Sequence, residues 1–263
     1  EFGPRALGNR SIIADPRIGS HKETINAMIK MRESYRPFAP SVLAERVRDF
    51  FEVPGKQEDF PFMSFVLNVR PEWREQLPAI THVDGSARLQ TVNKADNPRY
   101  WELIETYGRK TGIPILLNTS FNNNAEPIVD SIDDAVVCYL TSGLNYLVVG
   151  DYLVTKKDWG NEQLATLIVT LPKAAVLSRE DRYISYTERG FSYFLTWNYD
   201  ASRRYSLSDV WYQVLQQANG LRTLRQLMND LEFEAEQQNH IFEELPSLWS
   251  DRLIILHPGN VEN

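Results

Sequence analysis

Apolar positions fall into alternating short runs and helical periods through the middle of this 263-residue chain. Asn97-Pro98 has the composition of a helix start, with Asn at the cap and Pro at the first helical position. Trp101, Ile104 and Tyr107 carry one apolar face onward to Gly112. Ile113-Pro114-Ile115-Leu116-Leu117 then reads as a buried strand that runs directly into the polar residues Asn118-Thr119-Ser120-Phe121-Asn122. A helix over about 131 to 141, capped by Ser131 and ended by Gly143, precedes a strand from Tyr146 to Val149. This alternation predicts an α/β layer structure with right-handed crossovers, and ligands of open α/β sheets bind at the carboxyl ends of strands, where Asn118–Asn122 falls.

The same reading extends to both sides. Ser20-His21-Lys22-Glu23 has capping-box spacing before Ile25, Met28 and Ile29, which predicts a helix from about 21 to 31, ended at Tyr35-Arg36-Pro37. Leu43 to Phe51 gives a second short helical pattern, and Phe62 to Val69 a mostly buried strand. Residues 78–92 hold two strand-like runs around the turn dipeptide Asp84-Gly85. Beyond Trp159-Gly160 the character changes: a strand over 164–171, a stretch rich in Tyr and Arg over 176–205, helices starting at Ser208 and Thr223, a third helical pattern from Glu234 to Trp249, and a strand over 253–256. Helix, short Gly turn, helix and late strand fit a winged-helix-like module. The chain therefore divides into residues 1–159 and a smaller tail domain, 160–263.

Composition changes the picture mainly by exclusion. With 43% hydrophobic and 24% charged residues the chain can bury a sizeable core. A net charge of -7 argues against general polyanion binding. The one cysteine, Cys138, forms no internal disulfide and suits a reducing, cytoplasmic setting, and no apolar run is long enough for a membrane span. The chain opens on Glu rather than Met, which is expected of a piece of a longer protein. Against the acidic whole, residues 1–40 gather seven Lys and Arg against four Asp and Glu. There Gly3, Pro4 and Gly8 set a tight path from which Arg5, Arg10 and Arg17 project, a composition suited to phosphate or carboxylate. Lys30 and Arg32 close the first helix and also suit the negative end of its dipole. Arg88 follows the Asp-Gly turn, and His82 reads best as a hydrogen-bonded structural histidine. Ser120 and Asn122 are equally suited to turn chemistry. The four histidines, His21, His82, His240 and His257, show no metal-ligand spacing.

Three separated blocks carry a resemblance: Glu1-Phe2-Gly3-Pro4-Arg5-Ala6-Leu7-Gly8, His82-Val83-Asp84-Gly85-Ser86-Ala87-Arg88 and Asn118-Thr119-Ser120-Phe121-Asn122. Together they resemble the C-terminal domain of the O-carbamoyltransferase family that modifies nodulation factors and antibiotics, over about residues 1 to 157. The pairs Lys30-x-Arg32 and Ser120-x-Asn122 are similar to the KxR and SxN signature of YrdC-like adenylate-forming domains. The resemblance implies a YrdC-like α/β twisted sheet with helices, followed by the smaller α+β winged-helix-like domain. It also implies that ATP, with Mg2+, and carbamoyl phosphate give carbamoyl-adenylate and pyrophosphate. Lys30, Arg32 and Arg88 would be catalytic; Arg5, Lys30, Arg32, Arg36, Arg88, Ser120 and Asn122 would bind substrate; no metal ligand is implied in this part. Transfer to an acceptor hydroxyl would occur in a preceding Kae1-like domain that holds the family's metal, so this chain alone is not expected to carbamoylate an acceptor. Ala125 stands where the family usually has glycine.

Two other classes compete. A nucleic-acid binder would use the helix-turn-helix-like tail, but residues 160–263 hold nine Lys and Arg against fourteen Asp and Glu, the wrong sign for tracking phosphates. A non-catalytic interaction module would be expected to have lost some of the seven polar contacts, and all are present.

Overall fold

The computed structural model of the chain describes residues 5–27, 38–183 and 189–258, in two units, Glu1–Val154 and Thr155–Asn263. Both mix helix and strand, and among the described residues no helix is long and apolar enough to cross a membrane.

The first unit is built on a five-stranded sheet. Its strands are Ser11–Ala14 (β1), Ala39–Leu43 (β2), Phe65–Asn68 (β3), Ser86–Val92 (β4) and Ile115–Ser120 (β5), in the order β1-β5-β2-β4-β3. β2 and β4 are parallel and the other pairs antiparallel. Its helices are Gly19–Ile25 (α1), Val47–Phe50 (α2), Pro71–Arg74 (α3), Pro98–Thr111 (α4) and Ile132–Leu140 (α5), and a two-stranded ribbon of Tyr146–Val149 (β6) and Tyr152–Thr155 (β7) follows. The expected run of parallel crossovers is replaced by a largely antiparallel sheet. The chain leaves β4, forms α4 and enters β5 on the far side of β2, because β1 and β2, from the first 43 residues, take the places on either side of β5.

Pleating sends alternate residues to opposite faces. Ile12, Val42, Ile115, Leu117, Ala87 and Leu89 point into the main core with Phe50, Phe51, Leu77, Ile80 and Tyr139. On the other face Leu43, Val92 and Leu116 pack under Tyr100 and Ile104 of α4. Each such fully buried side chain contributes about 1.5–3 kcal/mol. The α4 boundaries follow from chemistry: the Asn97 side chain accepts from the Tyr100 N–H, and Gly112 ends the helix at φ 82°. Ser131 and Asp134 form a reciprocal capping box at the start of α5.

Several expectations are corrected. Ser20 lies inside α1, whose cap position is Ile18 with no side-chain bond, and the proposed end of that helix lies outside the described residues. Leu43–Phe51 is a short 3-10 turn followed by one turn of α2. The strand expected over 62–69 shrinks to β3, an edge strand whose Phe65 and Val66 are exposed rather than buried. Of the two runs around Asp84-Gly85 only β4 is a strand; Pro78–Ile80 forms a turn instead.

In the second unit a meander of Ala175–Tyr183, Arg189–Trp197 and Asp200–Leu207 (β9, β10, β11) precedes three helices, Asp209–Gln217, Leu224–Asp230 and Ala235–Ser250 (α7, α8, α9). A short helix, Asn161–Leu164 (α6), and a strand, Leu167–Thr170 (β8), come before the meander, and β8 pairs with Ile255–Pro258 (β12) after the helices. Ser208 and Thr223 cap α7 and α8 as expected. Trp211, Leu195, Leu227 and Ile241 form its core. The described part of the Tyr- and Arg-rich stretch is thus mostly sheet, with Arg204 over the Phe194 ring and Arg179 over Phe191.

Candidate functional site

The sheet face under α4 changes character at one end. Beyond Leu43, Val92 and Leu116 the same face carries Ser41, Gln90 and Asn118, all buried. Ser41 Oγ donates to Gln90 Oε1 at 2.7 Å, and Asn118 Nδ2 donates to Gln90 Oε1 at 2.9 Å and to Ser41 Oγ at 3.1 Å. A buried polar cluster of this kind gains its stability from the pairs its members make, and Asn118 Oδ1 is left without one among the described residues. Here the pairing extends to a fourth segment: Asn118 Nδ2 donates to the Ala6 carbonyl at 3.0 Å and Gln90 Nε2 to the Leu7 carbonyl at 3.2 Å. Three strands thus hold the extended residues 5–7 across their polar end. Gly8, at φ 114°, then packs against the Tyr100 ring of α4; a Cβ there would lie 2.4 Å from it.

This anchoring brings Arg5 to Arg88. Arg88 is two residues before Gln90 on β4 and so projects from the same face, still solvent-accessible. Burial and the nearby charge of Arg5 hold its guanidinium below the ordinary value. Among the described residues no acid forms an ion pair with either arginine. Two guanidiniums held in mutual repulsion without a carboxylate form an arrangement that an anion relieves.

Ser120, two residues beyond Asn118 on β5, belongs to the same face and the same end. Its hydroxyl donates to Asn122 Oδ1 at 2.6 Å. The Asn122 amide in turn donates to the carbonyls of Asn123, at 2.6 Å, and Glu126, at 3.0 Å. Asn122 therefore braces the loop over 122–126, and Ser120 is the member of the pair set on the sheet. Of the seven residues expected to bind substrate, Arg5, Arg88 and Ser120 converge on one end of one face, with Asn122 behind Ser120. Lys30, Arg32 and Arg36 lie outside the described residues.

His82 departs from its expected structural role. Its backbone closes the turn into β4, accepting from the Gly85 N–H at 2.9 Å and donating to the Ser86 carbonyl at 2.8 Å. The imidazole, however, has no hydrogen-bond partner among the described residues. Burial holds it below the ordinary histidine value; Arg88 and Lys22 push the same way and Asp84 opposes. The charges of Lys22 and Arg88 thus both reach His82, and the sequence offered no signal for Lys22. Gln90 and Asn118 were likewise unassigned, although each lies two positions from a residue that was singled out.

A separate cleft of about 270 Å³, lined by Arg10, Phe121, Val129, Ser131, Ile132 and Leu147 among others, contains none of the expected site residues. Among the described residues no group of three His, Cys, Asp or Glu converges as a metal site.

Comparison with known proteins adds an independent line. The family model for the carbamoyltransferase C-terminus matches residues 1–156. The chain is 44% identical over 263 residues to nodulation protein NolNO of Sinorhizobium fredii, covering 100% of this chain and 39% of the relative. It is 44% identical over 258 residues to nodulation protein NolO of Bradyrhizobium diazoefficiens, covering 98% of this chain and 47% of the relative. A 3'-hydroxymethylcephem-O-carbamoyltransferase of Amycolatopsis lactamdurans is 40% identical over 151 residues, 57% of this chain and 28% of the relative. The chain thus spans less than half the length of these relatives.

Proposed function

Since the chain belongs to the carbamoyltransferase C-terminus family, we propose that its first unit activates a carbamoyl group as carbamoyl-adenylate, using ATP and carbamoyl phosphate. The observation that carries this reading is the approach of Arg5 to Arg88, with no acid paired to either among the described residues, at the polar end of the sheet face that also bears Ser120. Atom balance sets the course. The donor's own phosphate leaves with water as inorganic phosphate, a carbamate oxygen attacks the α-phosphorus of ATP, and the bond to the β-phosphate oxygen breaks to release pyrophosphate. No side-chain nucleophile is consumed. What the protein must supply is charge and position, and Arg5 and Arg88 would hold phosphate oxygens while Ser120, on turning its hydroxyl from Asn122 to the ligand, would give a neutral hydrogen bond. Lys30, Arg32 and Arg36 would add further positive charge, as the resemblance implies. Magnesium would arrive on the phosphate oxygens and offset their charge.

Transfer to an acceptor hydroxyl is assigned to a separate Kae1-like domain, for which the greater length of the relatives leaves room. The cephem enzyme, by its name, carbamoylates a hydroxymethyl oxygen, and an alcohol is the acceptor class proposed here. The second unit is proposed to be a winged-helix-like module that serves protein contacts. In support, the nodulation relatives match through it while the 151-residue cephem match does not span the chain.

The test is ATP–pyrophosphate exchange by the purified chain with carbamoyl phosphate present and absent. Exchange that requires carbamoyl phosphate is expected. Folded protein that neither exchanges nor binds ATP would refute the reading.

A further inference from the structure

The turn over 82–86 carries His82, which the charges of both Arg88 and Lys22 of α1 reach. Gly19 of α1 sits against Pro78, with 3.6 Å to the ring from the position a Cβ would take, and the Ala79 N–H donates to the Pro16 carbonyl at 3.2 Å. The start of α1 is thereby fixed along the segment that leads into His82, and Lys22 follows within one turn of Gly19. Asp84, the acid nearest His82, has its Oδ1 occupied by the Ser86 N–H at 2.9 Å and the Ser86 hydroxyl at 2.7 Å. The imidazole is left half-buried, without a hydrogen-bond partner among the described residues, within reach of the charges of two cations from two different elements.

We propose that the His82 imidazole and the Lys22 ammonium form a second lobe of the Arg5–Arg88 anion site, and that His82 takes up a proton when a polyphosphate chain enters it. This rests on the proposed phosphate-binding role of Arg5 and Arg88. Among the described residues the charged groups that act on His82 are Asp84 from its own turn, Arg88 from β4 and Lys22 from α1. In the free protein burial and the two cations keep the ring neutral near pH 7, against the weaker pull of Asp84. A bound polyphosphate cancels the repulsion and gives the ring an anionic oxygen to meet. The sign then follows: the ligand favours protonated His82, so binding consumes a proton and strengthens as pH falls. Four cationic positions spread over four segments suit a ligand with several charged phosphates better than a single phosphate, which makes the released pyrophosphate, or the β- and γ-phosphates of ATP, the natural occupant. A neutral imidazole that gains a proton as charge accumulates there is positioned to balance the departing pyrophosphate.

The probe is inorganic pyrophosphate without metal, followed by calorimetry in buffers of different ionisation enthalpy and by NMR titration of the His82 ring. Expected are an upward move of the His82 titration on binding and, relative to His82→Gln, which retains the ligand's own protonation alone, additional proton uptake near pH 7 and an affinity ratio that improves about tenfold per pK unit of that move between pH 8 and 6. His82→Gln should still bind at pH 8. Lys22→Met should weaken pyrophosphate more than monophosphate. If the wild-type chain binds pyrophosphate with no proton uptake beyond that of His82→Gln and an unmoved His82 titration, the inference is overturned while the Arg5–Arg88 site stands. If folded protein binds neither pyrophosphate nor ATP, the site reading falls and takes the inference with it.

Discussion

Gln90→Met asks whether the buried amide cluster places Arg5. The substitution conserves length and volume, so no cavity term of consequence enters. It removes one acceptor and one donor: Gln90 Oε1 no longer receives Ser41 Oγ or Asn118 Nδ2, and the Leu7 carbonyl loses Gln90 Nε2. Asn118 keeps the Ala6 carbonyl and Ser41 Oγ as partners. Two groups are then stranded, the buried Ser41 hydroxyl proton and the partly buried Leu7 carbonyl. At about 1–3 kcal/mol for each unsatisfied group, and with some relief from local adjustment, a loss of about 2–4 kcal/mol is expected. Urea unfolding followed at the level of each unit should show the first transition moved by roughly 1–2 M and the second unmoved. At urea concentrations where both proteins remain folded, ATP binding should weaken, because residues 5–7 have lost one of their two tethers. A shift under about 0.5 kcal/mol, or lost stability with unchanged ATP affinity, would refute the claim that this cluster positions the site.

Arg88→Ala should lower carbamoyl phosphate-dependent exchange by roughly 10–100-fold, from about 1.5–3 kcal/mol for a charge-assisted phosphate contact, with an unchanged circular dichroism spectrum; Lys30→Ala is expected to behave alike, and full activity in both would refute the site. Gly8→Ala meets both an unfavourable φ of 114° and the Tyr100 ring, so it should cost at least about 1–3 kcal/mol in unfolding and raise the KM for ATP. Asp15 receives the Arg17 guanidinium at 2.7 Å and 3.0 Å; burial opposes its charge, but those bonds prevail and hold its pKa down to about 2. A depressed carboxyl gives stability that is complete above the unfolded value near 3.8 and lost as pH falls toward 2, so Asp15→Asn should lower stability at pH 7 by about 1 kcal/mol after screening and flatten the acid limb between those pH values.

What the sequence disclosed divides along physical lines. Elements whose beginnings and ends are written in local chemistry were legible: α4 between Asn97 and Gly112, α5 from Ser131, α7 from Ser208 and α8 from Thr223. β5 was legible because a continuous apolar run flanked by a proline suits a buried strand. β1 and β2 were not, since Ser11–Ala14 is short and Pro40 speaks against a strand, and both exist by pairing with β5 from more than seventy residues away. Arg5, Arg88 and Ser120 could be singled out by type and motif, yet their meeting depends on register. Arg88 and Ser120 face the same way only because Ser41 aligns with Gln90 and Leu116 on its two sides. The state of the His82 ring, without a partner among the described residues, was not legible because such a ring and a hydrogen-bonded one have the same one-letter code, and Lys22 carries no mark beyond being a lysine.

The strand order has a consequence for how the protein comes into being. β1 pairs with β5 across about a hundred residues, Ser11 with Ser120, and β2 needs that same β5 on one side and β4 on the other. A growing chain therefore carries its first arginines unsheltered until the fifth strand has been made, and the chain closure needed to seat β1 is among the longest in the unit. Contacts of such separation in sequence put folding of the first unit toward the slow end for its size. A fraction that has acquired its helices but not this last pairing would hold Arg88 and Gln90 in place with nothing laid across them, so the capacity to hold phosphate arrives late in maturation, with the docking of the amino-terminal strand.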